Sequence, residues 1–148
     1  MKAGGTMAER QTRQVREMLM TAARRAANSA YAPYSGTRVG AAALTGNDRV
    51  FVGCNVENAS YGLTNCAERV AIQNAVAAGE KRIVAVAVFS PDMKGITPCG
   101  ACRQVMAEFS PPASPGLLVI VEGQKGTEAI PLGKLLPRAF GAKGRGKG

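Results

Sequence analysis

The chain has 148 residues, enough for one buried core and too short for two independent ones, and its 46% hydrophobic and 20% charged content is ordinary for a globular protein. No apolar run approaches the length of about eighteen needed to cross a bilayer, and the N-terminal MKAGGTMAERQTRQV has no apolar stretch of signal-peptide type, so the expected setting is cytoplasmic, with no membrane partner. The formal charge of +9 sits at the ends: residues 1–30 carry six Lys or Arg against two Glu, residues 133–148 five against none, and residues 31–132 balance at eight against eight. A nucleic-acid surface should place basic residues on the body of the fold, so a nucleic-acid partner is not expected and the basic ends read as solubilising.

Val15, Met18, Leu19, Ala22 and Ala26 recur at helical spacing, which predicts a first helix ending near Tyr31, before Pro33. RVGAAALTGNDRVFVGCNVEN reads as two strands, near 38–45 and 49–56, around the turn residues Gly46, Asn47 and Asp48. A helix then runs from Cys66, with Ala67, Val70, Ala71 and Ala75 near one face and Gly79 as its stop. RIVAVAVFS is an almost unbroken β-branched and alanine run, hence a strand buried on both faces. PCGACRQVMAEF opens a helix at its cysteines, GLLVIVEG is another buried strand, and PLGKLLPRAF a last short helix. The order α-β-β-α-β-α-β predicts an α/β fold, a three-layer α-β-α sandwich around a mixed sheet, in a single domain over 1–140. The remaining 141–148, GAKGRGKG, cannot bury an apolar face and reads as a disordered basic tail.

The chemistry lies in TNCAERV (64–70) and TPCGACRQV (97–105) of a chain without histidine. Cys99 and Cys102 sit three apart at a helix start, so both sulfurs can project to one side of its first turn; alone, that spacing fits a metal or a redox pair equally. Cys66 also opens a helix and supplies a third thiolate, favoured by the helix dipole. Three protein ligands on Zn2+ leave the fourth tetrahedral position open, as in a catalytic site. Cys54 could complete a closed four-cysteine site, but it reads more simply as a small buried hydrophobe. Three thiolates around a dication are net negative, and Arg69 and Arg103, beside the ligands, are placed to offset this by hydrogen bonds to sulfur. Glu68 is within reach of metal-bound water without being a ligand, and is the candidate proton carrier.

The pairing of Cys66-Ala67-Glu68 with Pro98-Cys99-Gly100-Ala101-Cys102 resembles the zinc nucleoside deaminases, with a cysteine where another branch of that class has histidine. It resembles in particular the small homotetrameric cytidine deaminase family, through YAPYS (31–35), VGAA (39–42), GCNVENASYGLTNCAER (53–69), PCGACRQV (98–105) and LLPRAF (135–140). The resemblance implies a cytidine deaminase-like fold, zinc held by Cys66, Cys99 and Cys102, and Glu68 as general acid/base. It also implies Asn55 and Glu57 as a ribose-binding pair, Ala67 and Thr37 in the substrate pocket, and Phe140 reaching a neighbouring subunit's pocket in a tetramer with shared sites. Standing alone, Phe140 would rather anchor the last helix in the core. The implied reaction is hydrolytic: activated water attacks C4 of cytidine or 2'-deoxycytidine while Glu68 protonates N3 and then the departing amine, a step of pyrimidine salvage.

One position departs from the family pattern. Thr37 stands where an aromatic usually lines the pyrimidine pocket, a loss of about 1–3 kcal/mol of stacking unless a larger substrate fills the space. A modified cytosine nucleoside such as blasticidin S is therefore the second reading, with Arg38 available to an acidic substituent. A nucleic-acid-binding zinc module, with Cys54 as fourth ligand, is the reading from another class.

Overall fold

The computed structural model describes residues 7–141, with side chains described from residue 12. Apart from Gly141, the expected basic tail lies outside the described residues. Helix α1 (Met7–Ala27) is followed by strands β1 (Gly40–Thr45) and β2 (Val50–Cys54), helix α2 (Ala67–Ala77) and strand β3 (Ile83–Phe89). Helix α3 (Gly100–Phe109), strands β4 (Leu118–Gly123) and β5 (Gly126–Pro131) and a single turn, α4 (Leu132–Leu135), complete the chain. The strands form one mixed sheet in the order β2-β1-β3-β4-β5, with β3 parallel to β4 and the other pairs antiparallel. No helix among the described residues is long and apolar enough to cross a membrane.

Both faces of the sheet are covered, which makes the three layers. Ala41 and Ala43 of β1, Val86 and Val88 of β3, and Val119 and Val121 of β4 pack with Ala71, Ile72 and Ala75 of α2 and with Cys102 and Met106 of α3. The opposite face places Ala42, Ala85, Ala87 and Ile120 against Leu19, Met20 and Ala23 of α1. The alternation of these residues along β3 is why its sequence reads as continuously apolar.

Two glycines set how closely the helices approach. A Cβ on Gly40 would run into the backbone of α1 at Ala23 and Ala27, and one on Gly53 would lie 2.5 Å from the Ala67 carbonyl oxygen of α2. Because Gly40 pairs with Cys54 and Ala41 with Gly53, alternation puts the first pair on the α1 side and the second on the α2 side. β1 and β2 are thus pinned to one helix on each face.

Three expectations need correction. The buried face of α1 is Leu19, Met20, Ala23 and Ala27, while Val15 and Met18 are exposed; the helix is turned by about one residue because Gly40 admits the Ala23–Ala27 backbone. The helix also stops at Ala27 rather than near Tyr31. Asn28, Ser29 and Ala30 tighten into three-residue turns, and the Tyr31 N–H is taken by the Asn55 carbonyl at 2.9 Å. Finally, PLGKLLPRAF is helical only at Leu132–Leu135, and a strand, β5, precedes it that the predicted order lacks. β5 is a partly exposed edge strand, GTEAIP, joined to β4 by a tight hairpin in which Gly126 has φ +115°. Its side chains carry too little apolar alternation to announce it.

Candidate active site

Cys66 and Cys99 are the N-cap residues of α2 and α3, and Cys102 lies within the first turn of α3. Their sulfurs all fall within 4.8 Å of one another, with Cys66 and Cys99 3.9 Å apart. A tetrahedral zinc with bonds near 2.3 Å needs its sulfurs roughly 3.8 Å apart, so the cluster fits that ion with small adjustments. The packing explains the convergence: α2 and α3 lie on the same face of the sheet and share the core that includes Cys102. Both helices aim their free N–H groups and positive dipole ends at this point.

Charge within the cluster is unequal. The Cys66 thiol is pulled down to about 5, chiefly by its hydrogen bond with Cys102 and then by Arg69, while Cys102 is pushed up because the neighbouring thiolate and burial disfavour a second charge. One Arg69 nitrogen, Nη2, donates to the Cys66 sulfur at 3.3 Å. Its Nε and the Oδ1 of Asn65 are two of the three buried side-chain atoms without a partner among the described residues, and both flank Cys66. A spare guanidinium N–H beside Cys66 can donate to a ligand thiolate, the outer hydrogen bond that suits sulfurs holding a metal.

Arg103 does something else. Its Nε donates to the Pro98 carbonyl at 2.8 Å and Nη1 to the Leu135 carbonyl at 2.9 Å, and these bonds fix the loop before Cys99 against α4 instead of reaching sulfur. Cys54 is not in the cluster; the register puts it on the α1 side of the sheet. A closed four-cysteine site is therefore not formed.

Glu68 is only 4% exposed. Burial, reinforced by the charge on Cys66, raises its carboxyl above the ordinary glutamate value. A carboxyl so placed beside the sulfurs holds a proton more readily than an exposed glutamate does. Ala67, between Cys66 and Glu68, is fully buried.

Asn55 and Glu57 lie just past the end of β2, in a segment threaded between Tyr31 and Asn65. That threading brings them alongside Cys66. Asn55 is buried, its Oδ1 accepting from the Val39 N–H and its Nδ2 donating to the Thr37 carbonyl, each at 2.8 Å. Glu57 accepts from the N–H groups of Tyr34 and Ser35 and from the Ser35 hydroxyl, which lower its pKa. Both side chains thus shape the 34–39 segment in addition to any contact with a ligand. Ser35 is the partner that the residue-by-residue reading missed; YAPYS marked the segment without a role for its serine.

Thr37 is half-buried, with its N–H bonded to the Ser35 hydroxyl oxygen. Arg38 is not free for a substrate: its guanidinium forks onto Asp92 with both contacts at 3.2 Å. Phe140 is 83% exposed, with its carbonyl held by Gln104, so it does not anchor the C-terminal segment in the core. A broad groove of about 830 Å3 runs between the 110–117 loop, Lys81 and Phe140. It contains none of the three cysteines or Glu68, and the site is placed by their chemistry instead.

Comparison with known proteins agrees with this geometry. The family described as the cytidine and deoxycytidylate deaminase zinc-binding region matches residues 13–114. A cytidine deaminase from Halalkalibacterium halodurans is 46% identical over 128 residues, which cover 86% of this chain and 96% of that protein. Crystal structures of cytidine deaminases from Burkholderia pseudomallei and Mycobacterium tuberculosis superpose with TM-scores of 0.74 and 0.73 at 49% and 43% identity. They cover 84% and 85% of this chain, and 98% and 97% of their own. With three thiols gathered at two helix ends, a buried carboxyl beside them and this likeness along most of its length, the chain belongs to the zinc-binding cytidine and deoxycytidylate deaminase family.

Proposed function

We propose that the protein hydrolyses the 4-amino group of cytidine and 2'-deoxycytidine, giving uridine or 2'-deoxyuridine and ammonia. The observation that carries this reading is the buried Glu68 carboxyl beside three converging cysteine sulfurs. Cys66, Cys99 and Cys102 hold zinc, which when bound supplies Lewis-acid activation of the attacking water. Glu68 takes a proton from that water and delivers it to ring N3, then transfers the second to the amine, which departs as ammonia. The raised pKa of Glu68 suits both transfers.

Asn55 and Glu57 contact the sugar through the hydrogen-bonding capacity that the 34–39 segment leaves unused, and the Ala67 N–H at the start of α2 faces the base. Thr37 lines the pocket. Arg69 offsets thiolate charge, and Arg103 fixes the loop before Cys99. The family resemblance and the exposure of Phe140 support a homotetramer in which Phe140 completes a neighbour's pocket. Tyr31, Tyr34, Val56, Tyr61 and Leu63, all exposed, add apolar surface along the segments that pair with Val56 and around Tyr61. Pyrimidine salvage in the cytoplasm is the corresponding setting.

The blasticidin reading loses its charged contact because Arg38 is engaged by Asp92. The test incubates zinc-loaded protein separately with cytidine, 2'-deoxycytidine and blasticidin S and follows the ultraviolet change on loss of the amine. Turnover of the simple nucleosides that disappears in Glu68→Ala is expected. No turnover of either by zinc-replete protein would refute the assignment.

A further inference from the structure

The Asn55 side chain bridges the Val39 N–H and the Thr37 carbonyl, gripping the inner edge of the chain at 37–39. Arg38 faces the other way, and its hydrogen bonds to Asp92 and Ser90 end on one turn. Its N–H donates to Asp92 Oδ2 at 2.8 Å, its guanidinium forks onto both Asp92 oxygens, and its carbonyl accepts from the Ser90 hydroxyl at 2.6 Å.

The turn that holds Arg38 is itself preformed. Ser90, 2% exposed, accepts with its hydroxyl oxygen from the N–H groups of Asp92 and Met93, each at 3.1 Å. From there the chain runs on to Pro98 and Cys99. A peptide held on both edges cannot rotate, so the 90–92 turn and Asn55 together fix where Thr37 stands. The Arg38–Asp92 pair is partly exposed, with side chains 49% and 31% accessible, and such pairs add little to global stability. Its geometric precision, with three bonds to one carboxylate including one from the main chain, points to a local task.

We propose that Asp92, acting through Arg38, is a positioning residue for substrate: it holds the 37–39 segment so that Thr37 and Asn55 face the nucleoside, and it thereby sets KM. The inference rests on the deaminase reading above. It assigns a role to a loop outside the cysteine motifs, between β3 and the zinc-ligand helix.

The experiment compares Asp92→Ala and Asp92→Asn with the parent protein, measuring cytidine kcat and KM, zinc content, Tm and amide exchange at Arg38 and Val39. Asp92→Ala should raise KM about 3–10-fold with kcat within twofold, full zinc and an almost unchanged Tm, since the lost interaction orients substrate. Asp92→Asn keeps an oxygen for the Arg38 N–H, so it should restore much of the KM. Amide exchange should quicken in Asp92→Ala and recover in Asp92→Asn. Unchanged KM and exchange in Asp92→Ala, or a joint loss of zinc, kcat and Tm in both variants, overturns the proposal. Parent protein that turns over no cytidine sinks the activity assignment instead, and the exchange rates then decide the clamp by themselves.

Discussion

Replacing Gly53 by alanine tests whether the approach of α2 to the sheet sets the active-site geometry. The added methyl would meet the Ala67 carbonyl oxygen at 2.5 Å and the Val70 Cβ at 2.9 Å, with the Ala71 nitrogen closer still. Ordinary contact begins near 3.4 Å, and two of these atoms are backbone, so the first turn of α2 must retreat by about 1 Å. Overpacking of this kind costs about 1–3 kcal/mol, or roughly 3–10 °C in Tm for a chain of this size. The functional cost is larger. Cys66 and Glu68 move with α2 while Cys99 and Cys102 stay on α3, and a misplacement of about 1 Å at a reacting group lowers kcat/KM on the order of 10²-fold. It also exceeds the tolerance of about 0.2 Å in a zinc–ligand distance, so zinc affinity should fall. Thermal unfolding, zinc analysis and cytidine kinetics on the purified variant measure the three effects together. Full zinc content with kcat/KM within twofold of the parent would refute the argument, whatever the Tm.

Glu68→Gln should retain zinc and lower kcat by about 10²–10⁴-fold, the usual share of a general acid/base; a loss below tenfold would remove Glu68 from proton transfer. In zinc-free protein the first thiol should ionise with a midpoint of about 5, read by thiolate absorbance, and Arg69→Ala should move it upward. The sign for stability follows from the same shift. The folded pKa of Cys66 lies below its ordinary value of 9.0, so the thiolate's contribution is present above about pH 9 and is lost as pH falls through about 5. Phe140→Ala should raise KM for cytidine several-fold with zinc content unchanged, and identical kinetics would exclude a cross-subunit contact.

What the sequence made legible was the part encoded by strong local patterns. The alternation of Ala85, Val86, Ala87 and Val88 between two cores announces a central strand, and three cysteines at helix starts announce a metal cluster. The failures share a cause. β5 is held by backbone pairing with β4 at the edge of the sheet, and its side chains carry little of that information. The rotation of α1 is decided by a missing side chain at Gly40, a contact distant in sequence, while Val15 and Met18 fit a helical stripe just as well as the buried set. Asn55 and Glu57 were legible as a polar pair, but their bonds to residues 34–39 depend on a crossing of segments that no spacing rule displays.

The same distinction explains how a site without histidine manages its charge. Three thiolates around a zinc dication leave one excess negative charge. The expected remedy was two arginines on sulfur, yet Arg103 is bonded to the carbonyls of Pro98 and Leu135. Arg69 contributes one full positive charge at the Cys66 sulfur, and α2 and α3 each present about half a charge from their N-terminal N–H groups. Together these exceed the excess, so a second guanidinium on sulfur is electrostatically unnecessary. Arg103 is then free to fix the Cys99 loop, a task that needs a rigid donor fork reaching two carbonyls more than it needs a charge. The same charges act on Glu68 in opposite directions. Burial and the charge on Cys66 raise its carboxyl above the ordinary glutamate value while Arg69 opposes the rise, so the group is balanced between gaining and losing a proton, as the two proposed transfers need.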